Sequence, residues 1–208
     1  MPNLLIYPIR GIKRRFFINF LNLIEKPECL VISPGGCGSI TLIKFLDKFT
    51  KSNIYFEKKY KISIGHNYKP SQIFYKKKIR VILIKRNLEE IYNSIKSRTS
   101  IRNALNLYGD LFPFIYINIL KDEANLKKKF LKYLRFFYNN WNNYNKDLLL
   151  KINYEDLYFN DKTKYKIKKF LNIKNKKFVS NFPKYKKYKK DKKFIDPSTI
   201  LSKKIYNK

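Results

Sequence analysis

The sequence predicts an α/β fold in which a central, mostly parallel sheet is flanked by helices. Short apolar runs recur at 29–33 (CLVIS), 53–56 (NIYF), 80–85 (RVILIK) and 148–152 (LLLKI). The first, third and fourth are nearly continuous rather than alternating, as expected of strands covered on both faces. Segments with helical spacing of apolar residues separate these runs. Strands that alternate with helices close into parallel sheets.

Taken in order, the elements begin with residues 1–26, where NLLIYPIRGIKRRFFINFLNLI is interrupted by Pro8, Arg10, Lys13, Arg14 and Arg15. Those interruptions leave no run of about 18 apolar residues, the length a membrane crossing needs. The stretch reads as an amphipathic lead-in helix, and its basic and aromatic mix also suits peripheral contact with a membrane surface. Ser39 to Phe49 places Leu42, Phe45, Leu46 and Phe49 on one helical face, and Leu88 to Ile95 does the same with Leu88, Ile91, Tyr92 and Ile95. Thr99 to Leu120, with Gly109 and Pro113, is irregular and suits a lid or a loop lining an acceptor pocket. Glu123 to Tyr144 carries the stripe Leu126, Phe130, Leu134, Phe137 and Trp141, a long helix with a core-facing side. The last strand leads into a turn bearing Tyr154, Glu155, Asp156 and Leu157. A helix follows from about Lys162 to Leu171, with Asp161 or Thr163 as its cap. Residues 174–208 form a lysine-rich C-terminal segment. With 208 residues and no internal repeat, the whole chain, 1–208, reads as a single domain.

Hydrophobic residues make up 44% of the chain and aromatics 17%, enough to fill a packed interior and to set global disorder aside. The formal charge is +32, carried by 39 Lys and only 8 Arg. Lysine runs of this kind attract anions in general, whereas base reading leans on Arg forks, and no nucleic-acid-binding motif is present. No specific nucleic-acid partner is therefore expected. Cys29 and Cys37 flank one strand, and an extended eight-residue segment would hold them roughly 25 Å apart, beyond disulfide reach. With two Cys and one His, a zinc site built from those residue types is not expected, and nothing in the sequence calls for a metal. Reduced thiols fit a cytoplasmic protein.

Four segments carry the chemistry. The glycine turn SPGGCGSIT joins a buried strand to a helix start, so backbone N–H groups and the positive end of the helix dipole converge on one point. Gly35, Gly36 and Gly38 permit close approach of an anion, and Ser39 and Thr41 add hydroxyl donors. The turn departs from the pattern G-x-x-x-x-G-K-[ST], because Ser39 follows Gly38 where Lys belongs. Arg86 ends the strand VILIK, and Ser94 lies eight residues later, about two turns into the following helix. A guanidinium fork and a hydroxyl suit a phosphate. Ligands of α/β sheets gather at the carboxyl ends of strands, so Arg86 should face the glycine turn, although Glu89 and Glu90 stand close enough in sequence to pair with it. The one histidine, His66 in KISIGHNYKP, follows an apolar stretch and could take a proton at near-neutral pH. Glu155 and Asp156 are adjacent and point apart, which rules them out as a working carboxylate pair.

Together these segments resemble the sulfotransferase family that uses 3′-phosphoadenosine 5′-phosphosulfate (PAPS) as sulfuryl donor. The similarity runs in order from Leu30 to Ile173. It implies a P-loop-type three-layer fold and transfer of a sulfuryl group from PAPS to an acceptor hydroxyl of a glycan or other small alcohol. It further implies that Gly35, Gly36, Cys37, Gly38, Ser39, Ile40 and Thr41 cradle the 5′-phosphosulfate. Arg86 and Ser94 would clasp the 3′-phosphate, Tyr154 in INYEDL would shape the adenosine site, and His66 in IGHN would be the catalytic base. Where many members carry Lys or Arg in the loop, this chain has Gly36, so Lys44, Lys69 or Lys85 would have to supply that charge. The Arg-Lys-Gly segment of cytosolic members is absent, and lysines at 184–193 would stand in for it. Two other readings exist. A P-loop kinase would want Lys after Gly38 and carboxylates for magnesium. A non-enzymatic binder of nucleic acid or another polyanion would work through the lysine-rich surface.

Overall fold

The computed structural model describes residues 27–52, 69–70, 72–97, 101 and 122–184. Its centre is a three-stranded parallel sheet of β1 (Cys29–Ile32), β2 (Arg80–Lys85) and β3 (Leu149–Asn153), in the order β1-β2-β3. The strands alternate with helices α1 (Ser39–Leu46), α2 (Gln72–Lys76), α3 (Leu88–Lys96), α4 (Glu123–Asn142), α5 (Tyr154–Phe159) and α6 (Asp161–Phe170). The α/β class expected from the sequence is therefore the class observed. The run at 53–56, His66, the lead-in at 1–26 and nearly all of the 99–120 loop lie outside the described residues.

Burial explains the strand composition. All four residues of β1 and the Val81–Ile84 stretch of β2 are buried, so continuous apolar sequence is what both strands need. β3 differs from expectation. Leu149 and Ile152 are buried, Leu150 is partly buried and Lys151 and Asn153 are exposed, so β3 is not covered on both faces along its whole length.

Helix α4 lies behind the sheet's aromatic core. Phe130, Leu134, Phe137 and Trp141 are wholly buried, as their spacing predicts. Tyr92 of α3 meets Phe130 with ring centroids 6.0 Å apart, and Glu89 pairs with Lys127 at 2.8 Å across the same two helices. Lys96 and Glu123 pair at the other end of that contact. Just past α4, Tyr144 directs its hydroxyl at the carbonyls of Phe74 (2.9 Å) and Ile79 (2.8 Å), which fixes the entry to β2.

The lysine-rich C-terminal segment begins as core. Lys174, Lys176 and Lys177 are exposed, but Phe178 and Phe182 are buried against Phe45 of α1, with ring centroids 5.0 and 4.9 Å away. Residues 185–208 lie outside the described residues. Among the described residues no helix is long and apolar enough to cross a membrane.

Candidate functional site

Strand register assembles the site. Ile32 is paired with Leu83, and Lys85 with Asn153. One residue beyond the second pair lie Arg86 and Tyr154, side by side at the carboxyl edge of the sheet. The chain after β1 turns at the same edge through residues 33–38. Three segments far apart in sequence therefore meet where α/β sheets collect ligands.

The glycine turn is built on left-handed backbone. Gly35, Gly36 and Gly38 have φ of 90°, 66° and 63°, a region L side chains disfavour. Gly38 is also the N-cap of α1, so no side chain caps that helix, unlike α3, α4 and α6, which are capped by Asn87, Asp122 and Asn160. A Cβ at Gly38 would sit 2.7 Å from the Tyr158 hydroxyl and 3.0 Å from the Tyr154 ring. Glycine is thus required there for conformation and for space. The turn is braced from within. The Ser33 hydroxyl donates to Ser39 Oγ at 3.0 Å, the Gly35 N–H donates to Ser33 Oγ at 3.4 Å, and the Cys37 thiol donates to Gly35 O at 3.1 Å.

Arg86 is held on three sides. Its Nη1 donates to Gly36 O at 2.6 Å, its Nε to the Glu90 carboxylate at 2.9 Å, and its planar group lies 4.4 Å from the centroid of the Tyr154 ring. Cation–π contact and a charge-assisted bond of this kind both favour a fixed guanidinium. Both sequence expectations for Arg86 are met, the approach to the glycine turn and a pairing with a nearby glutamate. Its Nη2 has no hydrogen-bond partner among the described residues.

The remaining predicted residues occupy distinct places. Ser39 is buried and Ile40 is half exposed, while Thr41 faces solvent. Cys37 is wholly buried beneath the turn. Ser94 is partly buried on α3, one helical turn beyond Glu90 on the same stripe. His66 lies outside the described residues, so its position relative to this edge is not described. No hydrogen bond or ion pair ties Lys44, Lys69 or Lys85 to the turn among the described residues. Burial, then the neighbouring Lys151 ammonium, lowers the Lys85 pKa.

The segment after β3 is a helix, α5, where the sequence suggested a turn. That change matters, because helical spacing puts Tyr158 four residues on from Tyr154 on the same face. The two rings meet edge to face at 5.6 Å, and the Tyr158 hydroxyl donates to Gly38 O at 3.4 Å. Tyr158 and Ser33 are the site residues sequence reasoning missed; Glu90 was read as a partner for Arg86 but not as part of the site. Behind the turn, Tyr138 of α4 donates to Ile84 O at 3.2 Å, and burial raises its pKa, keeping it a neutral donor.

The arrangement can receive an anion. It offers a glycine turn at the start of an uncapped helix and an arginine whose open nitrogen lies at the same edge. Two tyrosine rings form a wall beside them. Comparison of the chain with protein-family models, with curated proteins and with solved structures finds no match.

Proposed function

We propose that the chain is a PAPS-dependent sulfotransferase acting on an acceptor hydroxyl. The observation that carries this reading is the direct bond from the Arg86 guanidinium to Gly36 O, with Tyr154 against the guanidinium face. It joins three of the four segments that carry the family resemblance at one edge.

In this reading the amides of residues 36–40 bind the donor's 5′-phosphosulfate, those of Gly35 and Thr41 being bonded within the turn, and Arg86 with Ser94 binds its 3′-phosphate. Tyr154 and Tyr158 border the adenosine site. The acceptor oxygen attacks sulfur in line, an S–O bond forms, and the bond from sulfur to the bridging oxygen of the 5′-phosphate breaks. The bonding pair leaves with adenosine 3′,5′-bisphosphate. The acceptor's proton passes to His66, the base that the resemblance assigns. Positioning and screening of developing negative charge carry most of such a transfer. Gly36 stands where the family places a cation, so screening here falls to turn amides and to whichever lysine reaches the leaving oxygen.

A thermal-shift titration with adenosine 3′,5′-bisphosphate and, separately, ATP tests the reading. The bisphosphate should stabilise the wild type and ATP should do so less. Arg86→Ala should lose about 1.5–3 kcal/mol of bisphosphate affinity for each charge-assisted bond removed. Equal affinity in the two proteins would remove Arg86 from the site. Magnesium-dependent ATP turnover would favour the kinase reading instead.

A further inference from the structure

We infer that Glu90 occupies the phosphate's place on the Nε edge of Arg86, and that an anion gripping that edge with two oxygens must displace it. This deepens the proposed function and rests on it for the identity of the anion, though not for the competition itself.

The geometry of the guanidinium carries the inference. Nη1 is committed to Gly36 O at 2.6 Å, a bond that anchors Arg86 to the glycine turn. One face is covered by Tyr154. The Nε–Nη2 edge, which the loop bond leaves untouched, presents two parallel donors to a single phosphate, the bidentate arrangement that makes Arg a strong phosphate binder. Glu90 already holds Nε at 2.9 Å. Its carboxylate bonds Arg86 just before α3, and Ser94 lies one helical turn further along α3 from Glu90, so the acid sits beside both groups assigned to the 3′-phosphate.

The charged groups around this edge have other commitments. Glu89, the other acid of the first turn, is paired with Lys127 and turned toward α4. Glu90 is therefore the acid left facing Arg86. Its side chain is 52% exposed while that of Arg86 is 19% exposed, so the carboxylate can swing into water while the guanidinium stays. Without ligand, Glu90 keeps the arginine aimed. When a phosphate arrives, its departure frees Nε for a two-pronged bond, and its residual charge continues to oppose the bound anion. The effect is to hold affinity down and to speed release of a doubly phosphorylated product.

Calorimetric titration of wild type and Glu90→Gln tests this with three probes, adenosine 3′,5′-bisphosphate, adenosine 5′-monophosphate and inorganic pyrophosphate. Glutamine keeps an oxygen that can accept from Nε, so Arg86 remains aimed, and only the charge is lost. Removing one negative charge within a few ångströms of the anion should tighten bisphosphate binding about 3- to 10-fold. Adenosine 5′-monophosphate, which lacks the 3′-phosphate, should change little. The gain should be smaller between Arg86→Ala and Arg86→Ala/Glu90→Gln than between wild type and Glu90→Gln, because the competition for Nε is gone and only through-space repulsion remains. A gain of the same size in both backgrounds would overturn the competition. Equal or weaker bisphosphate binding in Glu90→Gln, with wild type binding normally, would overturn the inference and leave the donor reading standing. Should neither protein bind the bisphosphate, the donor reading falls and pyrophosphate decides. Tighter pyrophosphate binding in Glu90→Gln then supports the competition, and unchanged, weaker or absent binding overturns it.

Discussion

At the scale of single residues, backbone freedom at one glycine and the charge state of one lysine each bear on the stability of the fold. Gly38 combines φ of 63° with a space that two tyrosines already fill. Gly38→Ala should therefore destabilise the fold by roughly 1–3 kcal/mol, from left-handed strain and from the clash together. Adding Tyr158→Phe removes the hydroxyl 2.7 Å away and should return only part of the loss, as measured by urea unfolding. Full recovery would mean that strain at φ contributes nothing. Lys85 makes a different prediction. Burial first, and the Lys151 ammonium second, hold its pKa below the ordinary 10.5, so the folded chain binds that proton less tightly than the unfolded chain. Stability should rise with pH between the folded and unfolded values, and the penalty is fully present below both. Lys85→Met should be more stable than wild type at pH 7, and the gap should close as pH approaches 10.5. A gap that stayed constant across that range would show that Lys85 acts through packing. The Cys29 thiol, by contrast, is pushed up to about 12 by burial and should resist alkylation in the folded protein.

At the scale of elements, asparagine does work that a sequence reading assigns elsewhere. The cap of α6 is Asn160, whose side chain accepts from the Lys162 N–H, not Asp161 or Thr163. Asp161 and Thr163 are the first and third residues inside the helix, past the capping position. Asn87 likewise caps α3, accepting from Glu89 and Glu90 N–H groups at 2.9 and 3.3 Å. Because Asn87 directly follows Arg86 and bonds to the amide of Glu90, it sets both ends of the Arg86–Glu90 pair. Asn87→Ala should cost about 1 kcal/mol of stability. It should also alter bisphosphate affinity, whereas Asn160→Ala should cost a similar amount of stability and leave affinity unchanged. Matching effects of the two variants on binding would deny Asn87 any part in the site. Strands β1 and β2 were legible because continuous burial leaves a continuous apolar run. The stripe on α4 was legible because its period is helical over many turns. The helix α5 was not. It has only six residues and one wholly buried side chain, Leu157, so it leaves no periodic signal. Missing it hid Tyr158, since the spacing from Tyr154 has meaning only on a helix. Glu90 was visible as a partner for Arg86, but which of Glu89 and Glu90 pairs with it follows from the cap at Asn87 and from the bond that orients the guanidinium.

At the scale of the whole molecule, the formal charge of +32 affects both stability and binding, and salt separates the two. Few acids are available to offset so many cations, and several described ones are already paired, Glu89 with Lys127, Glu90 with Arg86 and Asp161 with Lys164. The folded chain brings its excess lysines closer together than the unfolded chain does, so self-repulsion opposes folding. Screening acts over about 30 Å at 0.01 M salt and about 8 Å at 0.15 M. The melting temperature should consequently rise over that range, where a chain of balanced charge would change little. Binding should respond in the opposite sense, and to a degree that depends on the mode. A ligand held by turn amides and one anchored arginine contacts few cations, so its affinity should fall modestly with salt and survive at 0.3 M. A polyanion spread over the lysine surface releases many counterions, and its affinity should fall by orders of magnitude. Titrating adenosine 3′,5′-bisphosphate and duplex DNA in parallel across salt concentrations compares the two slopes. A shallow slope for the bisphosphate that steepens no further in lysine-rich surface variants, but weakens throughout in Arg86→Ala, places binding at the strand edge. A bisphosphate slope as steep as that of DNA, and insensitive to Arg86→Ala, would instead assign the anion affinity to the surface as a whole and remove the glycine turn from the function.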